Sequence, residues 1–181
     1  KVDENIPMIG MVSRLVSHKG LDLIEAKLNE LLSKNIQLVI LGTGDKKYEE
    51  ALKKVASKNK DKMSLNLVFN LKLASKIYAA SDLFLFPSLY DANSLVQIEA
   101  ASQALPTLFI REAKTASSCI EDQNAFMSDN DPLKYAQKII DIFENDNLYQ
   151  KVSSNAQKEL YVTWDDSIQA LLEDYERIIE E

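Results

Sequence analysis

The stretch that decides the fold class is IPMIGMVSRLVSHKGLDLIEAKLNELLSKNIQLVILG, Ile6 to Gly42. Its first part, IPMIGMVS, reads as a short apolar strand. GLDLIEAKLNELLSK then places Leu21, Ile24, Leu28, Leu31 and Leu32 on one helical face, and IQLVILG is a second strand. The alternation continues down the chain. Helix DKKYEEALKKVASKN has Asp45 as N-cap and Tyr48, Leu52 and Val55 inward, and is followed by strand SLNLVFN, helix KLASKIYAAS, strand DLFLFPS, helix SLVQIEAASQA and strand LPTLFI. Short apolar strands separated by helices predict an α/β protein with a doubly wound, mostly parallel, Rossmann-like sheet covered on both faces. After Arg111 come a loop with small residues, a short strand in NAFMS, and helices over Pro132 to Phe143, Leu148 to Leu160 and Trp164 to Ile179. The last helix carries Ile168, Leu171, Leu172, Tyr175, Ile178 and Ile179 at spacings that predict one buried stripe.

A chain of 181 residues with 46% hydrophobic content fits one compact domain. That domain is expected to span 1–181, with a core of 6–130 and C-terminal helices over 131–181. The 28 acidic residues outnumber the 21 basic ones, for a net charge of −7, which argues against a nucleic-acid groove or a basic membrane patch. Cys119 is the single cysteine; it leaves no internal disulfide and no cysteine-based zinc site, and it suits a reducing compartment such as the cytoplasm. No apolar run is long enough to span a bilayer, and the start has no signal-peptide organisation. The sequence also lacks an initiator Met, so the expectation is a fragment of a longer protein.

Ligands of open α/β sheets sit beyond the carboxyl ends of the strands, so the loops leaving the strands carry the functional signal. The first, SRLVSHKG, contains neither G-x-G-x-x-G nor G-x-x-x-x-G-K-[ST]. A phosphate held there must be met by side-chain cations, Arg14 and Lys19, although the same two charges are also what a solvated helix start would show. His18, the only histidine, is expected to point to solvent. In the second loop, GTGDKK, a tight turn lets the backbone approach a ligand closely, although a turn followed by an N-capping Asp45 accounts for it without one. The third is DANSLVQIE, with Tyr90 to Asn93 in a turn and Ser94 able to cap a helix on which Leu95 and Glu99 share a face. Free N–H groups and the helix dipole make that start an anion site. Asp91 faces what binds there, Glu99 reaches further along an extended ligand, and carboxylates accept the hydroxyl hydrogens that sugars offer.

Together, IPMIGMVSRLVSHKGLDLI, QLVILGTGDKKYEE, KIYAASDLFLFPS and the D-x7-E of DANSLVQIE resemble the carboxyl-terminal domain of bacterial glycogen synthases and plant starch synthases, among the retaining GT-B glycosyltransferases. The likeness runs from Ile6 to Ile110, with a weaker echo in YVTWDDSIQALLEDYERII. The resemblance implies one Rossmann-like half of a GT-B enzyme, with the acceptor-binding N-terminal half lying elsewhere. It implies that Arg14 and Lys19 grip the donor diphosphate, that Asp91 stands at the first acid beside the donor sugar, and that Glu99 looks toward the ribose. Ser94 and Leu95 would present backbone amides to the phosphates, and Asn70 and Leu71, in the loop after the third strand, would flank the base. The implied reaction is retaining transfer of glucose from ADP-glucose or UDP-glucose to an α-glucan, with no metal or other cofactor.

This chain departs from the family pattern at several points. Asp91 stands for Glu, Ser94 for Gly, REAKTASS for a glycine-containing segment, and Leu105 for a Gly before Pro106. These departures keep two alternatives open: a related transferase that moves another sugar onto a glycan, lipid or protein, and a non-catalytic relic that serves as a binding subunit.

Overall fold

The structure is a computed structural model and describes residues 3–91, 95–113 and 118–180. Strands β1 (Met8–Val12), β2 (Gln37–Leu41), β3 (Met63–Asn66), β4 (Leu83–Phe86), β5 (Thr107–Ile110) and β6 (Phe126–Ser128) form one sheet in the order β3-β2-β1-β4-β5-β6. Every pairing is parallel. The helices are α1 (Leu21–Glu25), α2 (Leu28–Ser33), α3 (Lys46–Lys58), α4 (Leu71–Ala80), α5 (Leu95–Ser102), α6 (Pro132–Glu144), α7 (Asp146–Leu160) and α8 (Trp164–Glu180). The predicted Rossmann-like α/β class is therefore the one observed.

The two faces of the sheet are covered by two apolar clusters, as continuous strand runs such as LFLF require. On one face Ile9, Met11, Leu38, Leu83 and Leu85 meet residues of α1, α2, α3 and α6. On the other, Leu41, Phe84, Phe86 and Phe109 meet Ala74, Ile77 and Tyr78 of α4 and Ala100 and Ala101 of α5. The carboxyl ends of the strands are left as the open edge of this sandwich. Because β1 lies between β2 and β4, the chain order reverses there and opens a crevice between the loops that follow.

The structure corrects the sequence reading at several points. The predicted first helix is two helices, α1 and α2, broken at Ala26–Lys27, where Lys27 leaves helical geometry at φ −122° and ψ 6°. A straight helix would turn Leu23 roughly 130° away from the stripe of its neighbours. With the break, Leu23 is buried along with Leu21, Ile24, Leu28, Leu31 and Leu32. Asp45 occupies the N-cap position of α3, but its side chain makes no capping hydrogen bond; its backbone carbonyl accepts from Tyr48 and Glu49, and the Glu49 carboxylate accepts instead from the Gly44 N–H at 3.1 Å. In α8 the predicted stripe is formed but not buried: Leu172 is 50% exposed, and Ile168, Leu171, Tyr175, Ile178 and Ile179 are also exposed. Among the described residues no helix is long and apolar enough to cross a membrane.

These burial differences fix an expectation for stability. Leu28→Ala, at a fully buried position, should cost roughly 2–5 kcal/mol. Leu172→Ala on α8 should change stability by less than about 0.5 kcal/mol. Urea denaturation followed by circular dichroism compares the two, and similar losses would show that α8 is packed in solution.

Candidate active site

Backbone contacts, more than side chains, place the first loop. Ser13 N donates to Leu41 O at 3.1 Å, Leu15 N to Thr43 O at 3.0 Å, and Asp45 N to Leu15 O at 2.8 Å, so the loop after β1 is stitched to the loop after β2. Gly42 is needed for this approach: a Cβ on it would lie 1.8 Å from Ser13 O. The close contact anticipated at GTGDKK is thus made by the protein's own backbone. Held in this way, Arg14 is exposed at the crevice, and its guanidinium has no carboxylate partner among the described residues.

The second half of the loop leans the other way. A single 3-10 turn, Ser17–Lys19, ends at Gly20, whose φ of 70° and 2.0 Å clearance between a built Cβ and Pro87 O leave room for no other residue. The loop after β4 is bound to it, with Leu89 N donating to His18 O at 2.9 Å. The His18 side chain is exposed, as expected. This junction brings Lys19 to Asp91, and the ammonium and carboxylate form a direct ion pair. The Lys19 ammonium also lies over the Phe86 ring, 5.8 Å from its centroid. The Lys19 and Asp91 side chains are 12% and 20% exposed, so the pair is largely enclosed.

Arg14 belongs to a cleft of about 250 Å³ at the switch point. Residues from every element around the reversal line it: Val12 and Ser13 beside Arg14, Leu41 to Thr43 after β2, Val68 to Leu71 after β3, Ala74 and Tyr78 of α4, and Leu95, Val96 and Glu99 of α5. Leu95 and Glu99 face the same cleft, as their spacing predicts, and the start of α5 lies at this edge. Of the predicted residues, Arg14, Asn70, Leu71, Leu95 and Glu99 line this one cleft, whereas Lys19 and Asp91 stand outside its lining as a separate pair. Ser94, and with it the predicted cap and the second half of the Tyr90 to Asn93 turn, lies outside the described residues.

Asn70 and Leu71 differ from their expected setting. Asn70 is the N-cap of α4, its Oδ1 accepting from Leu73 N at 3.0 Å, and Leu71 is the first residue of that helix. Residues that sequence reasoning did not single out complete the wall: Val68, Phe69 at 83% exposure, and Tyr78. An exposed aromatic beside a helix cap was the available signal for Phe69. Leu105, one of the departures from the family pattern, is buried in the second apolar cluster and does not reach the cleft. Arg111, at the end of β5, is bound by Glu121 and by Asp129 at 3.3 Å. The Arg111 hydrogen bond holds the Glu121 carboxyl below the usual carboxylate range. Among the described residues no group of three or more His, Cys, Asp or Glu is placed to hold a metal ion.

A cleft with apolar walls, a free guanidinium, a helix start and a carboxylate at its far side suits an elongated anion that carries a planar group and hydroxyls. It makes the chain an α/β domain with its cleft at the topological switch point. The chain belongs to the family described as Glycosyl transferases group 1, whose profile matches residues 1–159. It is 58% identical over 99 residues to a glycogen synthase of Clostridium acetobutylicum, an alignment covering 55% of this chain and 21% of that protein. It is 34% identical over 187 aligned positions to a glycogen synthase of Kosmotoga olearia, covering 97% of this chain and 39% of that one. The chain thus spans well under half the length of these relatives. In structure it is similar to the catalytic domain of starch synthase IV from Arabidopsis thaliana bound to ADP and acarbose, with a TM-score of 0.81 at 22% identity over 99% of this chain and 40% of that one. It also resembles the pneumococcal O-GlcNAc transferase solved with UDP and GlcNAc, with a TM-score of 0.75 at 20% identity over 96% of this chain and 35% of that one. The expected fold, one half of a GT-B glycosyltransferase, is borne out.

The different settings of the two cations predict different costs of removing them. Arg14→Ala should leave the melting temperature nearly unchanged, because the side chain is exposed. Lys19→Ala strands the half-buried Asp91 carboxylate and should cost about 1–2 kcal/mol. Thermal unfolding of both variants checks this, and equal costs would show that the pair does not persist in solution.

Proposed function

We propose that this chain is the donor-binding half of a retaining glycosyltransferase of the glycogen- and starch-synthase kind, transferring glucose from ADP-glucose or UDP-glucose to an α-glucan. The observation that carries the reading is the convergence of Arg14, the start of α5 and Glu99 on one apolar-walled cleft at the switch point. The nucleotide base lies against Val68, Phe69 and Leu71, the ribose toward Glu99, and the diphosphate toward Arg14 and the α5 amides. Asp91 meets the sugar end of the donor, on the side of the loop after β4, and Lys19, paired with it, turns to the diphosphate. The acceptor glucan is held by the other half of the enzyme, and the whole works in the cytoplasm, without nucleic acid.

Breaking the sugar–phosphate bond puts additional negative charge on the departing diphosphate. Cations and amides fixed in advance oppose that charge as it grows, which lowers the barrier. Each such group contributes on the order of 3 kcal/mol, roughly a hundredfold in rate. Side-chain cations fill this role in the reading, and the nucleotide sugar is substrate; no metal cofactor is assigned.

A second reading, transfer of another sugar to a glycan, lipid or protein acceptor, is favoured by Asp91. The shorter acid is engaged by Lys19, which changes what the sugar hydroxyls meet. A non-catalytic binding subunit is the third. Calorimetry with ADP-glucose, UDP-glucose, ADP and UDP separates them. The leading reading expects a glucose donor to bind, Arg14→Ala to weaken ADP or UDP about tenfold or more, and EDTA to leave affinity unchanged. Preference for a different nucleotide sugar supports the second reading, and no binding at all supports the third.

A further inference from the structure

Tyr78 sits on the wall of the cleft, on the α4 face that it shares with Ala74 one turn earlier. The residue is 4% exposed, and its hydroxyl is closed to solvent with no hydrogen-bond partner among the described residues. A buried hydroxyl without a partner is costly, and the apolar part of the residue does not need it. The ring packs edge-on against Phe84, with centroids 5.3 Å apart, and a phenylalanine would make that contact equally well. The hydroxyl therefore needs another account.

Across the cleft wall, α5 presents Val96 and Glu99 on one face, three residues apart, against this part of α4. Burial raises the pKa of the Tyr78 phenol, and the charge and hydrogen-bonding pull of Glu99 raise it further; both residues line the same cleft, and the carboxylate approaches the hydroxyl without making a bond of regular geometry. No ligand can touch a hydroxyl that is closed off in this way, but Glu99 is exposed to the cleft and a ligand can touch it.

We propose that Tyr78 is a positioning residue: with a nucleotide in the cleft its hydroxyl donates to one carboxylate oxygen of Glu99, so that the other oxygen accepts from the ribose hydroxyls. This rests on the reading of the cleft as a nucleotide site. Neither group changes protonation; the phenol O–H remains the donor and the carboxylate the acceptor on both sides. The bond restricts the carboxylate to one orientation before the sugar meets it, a gain made by preorganisation.

The test is calorimetry of the 181-residue chain and its Tyr78→Phe, Glu99→Gln and doubly substituted variants. The probes are ADP and UDP and their 2′,3′-dideoxy analogues, which lack both ribose hydroxyls. Wild type should prefer the ribose form. Tyr78→Phe should weaken the ribose form about tenfold and the dideoxy form little, with a melting temperature unchanged or raised because no existing bond is lost. The double variant should lose no more than Glu99→Gln alone, as coupled residues do. A Tyr78→Phe chain that keeps the full ribose preference while Glu99→Gln loses it would overturn the proposal and leave the nucleotide reading standing. Equal weakening of both nucleotide forms by Tyr78→Phe, with a lowered melting temperature, would show a structural role and overturn it as well. A wild-type chain that binds no nucleotide would overturn both readings.

Discussion

The hydrogen bonding of β1 to two partners organises the molecule. Its register pairs Ile9 with Leu38 of β2 on one side and with Leu83 of β4 on the other. All three strands are parallel, so their connecting helices must cross over to opposite faces of the sheet, and both faces must be apolar. The buried run Leu83 to Phe86 meets that demand. The same double pairing parts the loops after β1 and β4. A cleft at this reversal is a consequence of topology before any functional side chain is considered.

Within that frame the backbone decides where charge is placed. The loop after β1 is divided between two supports: its first half is stitched to the loop after β2, and its second half is pressed by Gly20 against the carbonyl of Pro87. Arg14 and Lys19 are carried on the two halves and so reach different surroundings, one open to the cleft and one enclosed against Phe86 and Asp91. Charges held by rigid backbone need little reorganisation when an anion arrives, which is the condition under which electrostatic stabilisation is strongest. The Lys19–Asp91 pair keeps an otherwise half-buried cation compensated, and the proposed diphosphate would offer the same cation a second acceptor.

The alternation of strands and helices was plain in the sequence, since IPMIGMVS, IQLVILG and DLFLFPS each announce a strand buried on both faces. Arg14, Leu95 and Glu99 were readable for a related reason: loops at strand ends and helix periodicity are local properties. What escaped was set by tertiary packing. The break between α1 and α2 serves Leu23, whose burial depends on the rest of the protein. The third strand ends earlier than its apolar run suggests, and Asn70 caps α4 through its side-chain oxygen, a setting fixed by where the helix begins. Tyr78 could not be found at all from spacing, since it lies on a helix face that reads as plain core, and only a buried hydroxyl without a partner among the described residues distinguishes it. In α8 the pattern was read correctly as amphipathic, but periodicity reports a face and not what covers it.

The account turns on a nucleoside diphosphate occupying the switch-point cleft, and a crystal structure of the chain with ADP or UDP tests this most directly. The predicted result is a base against Val68 and Phe69, phosphate oxygens within hydrogen-bond distance of the Arg14 guanidinium and the α5 amides, and Lys19 turned from Asp91 toward the diphosphate. A nucleotide bound elsewhere, or a cleft left vacant with Lys19 still on Asp91 at saturating nucleotide, would contradict it.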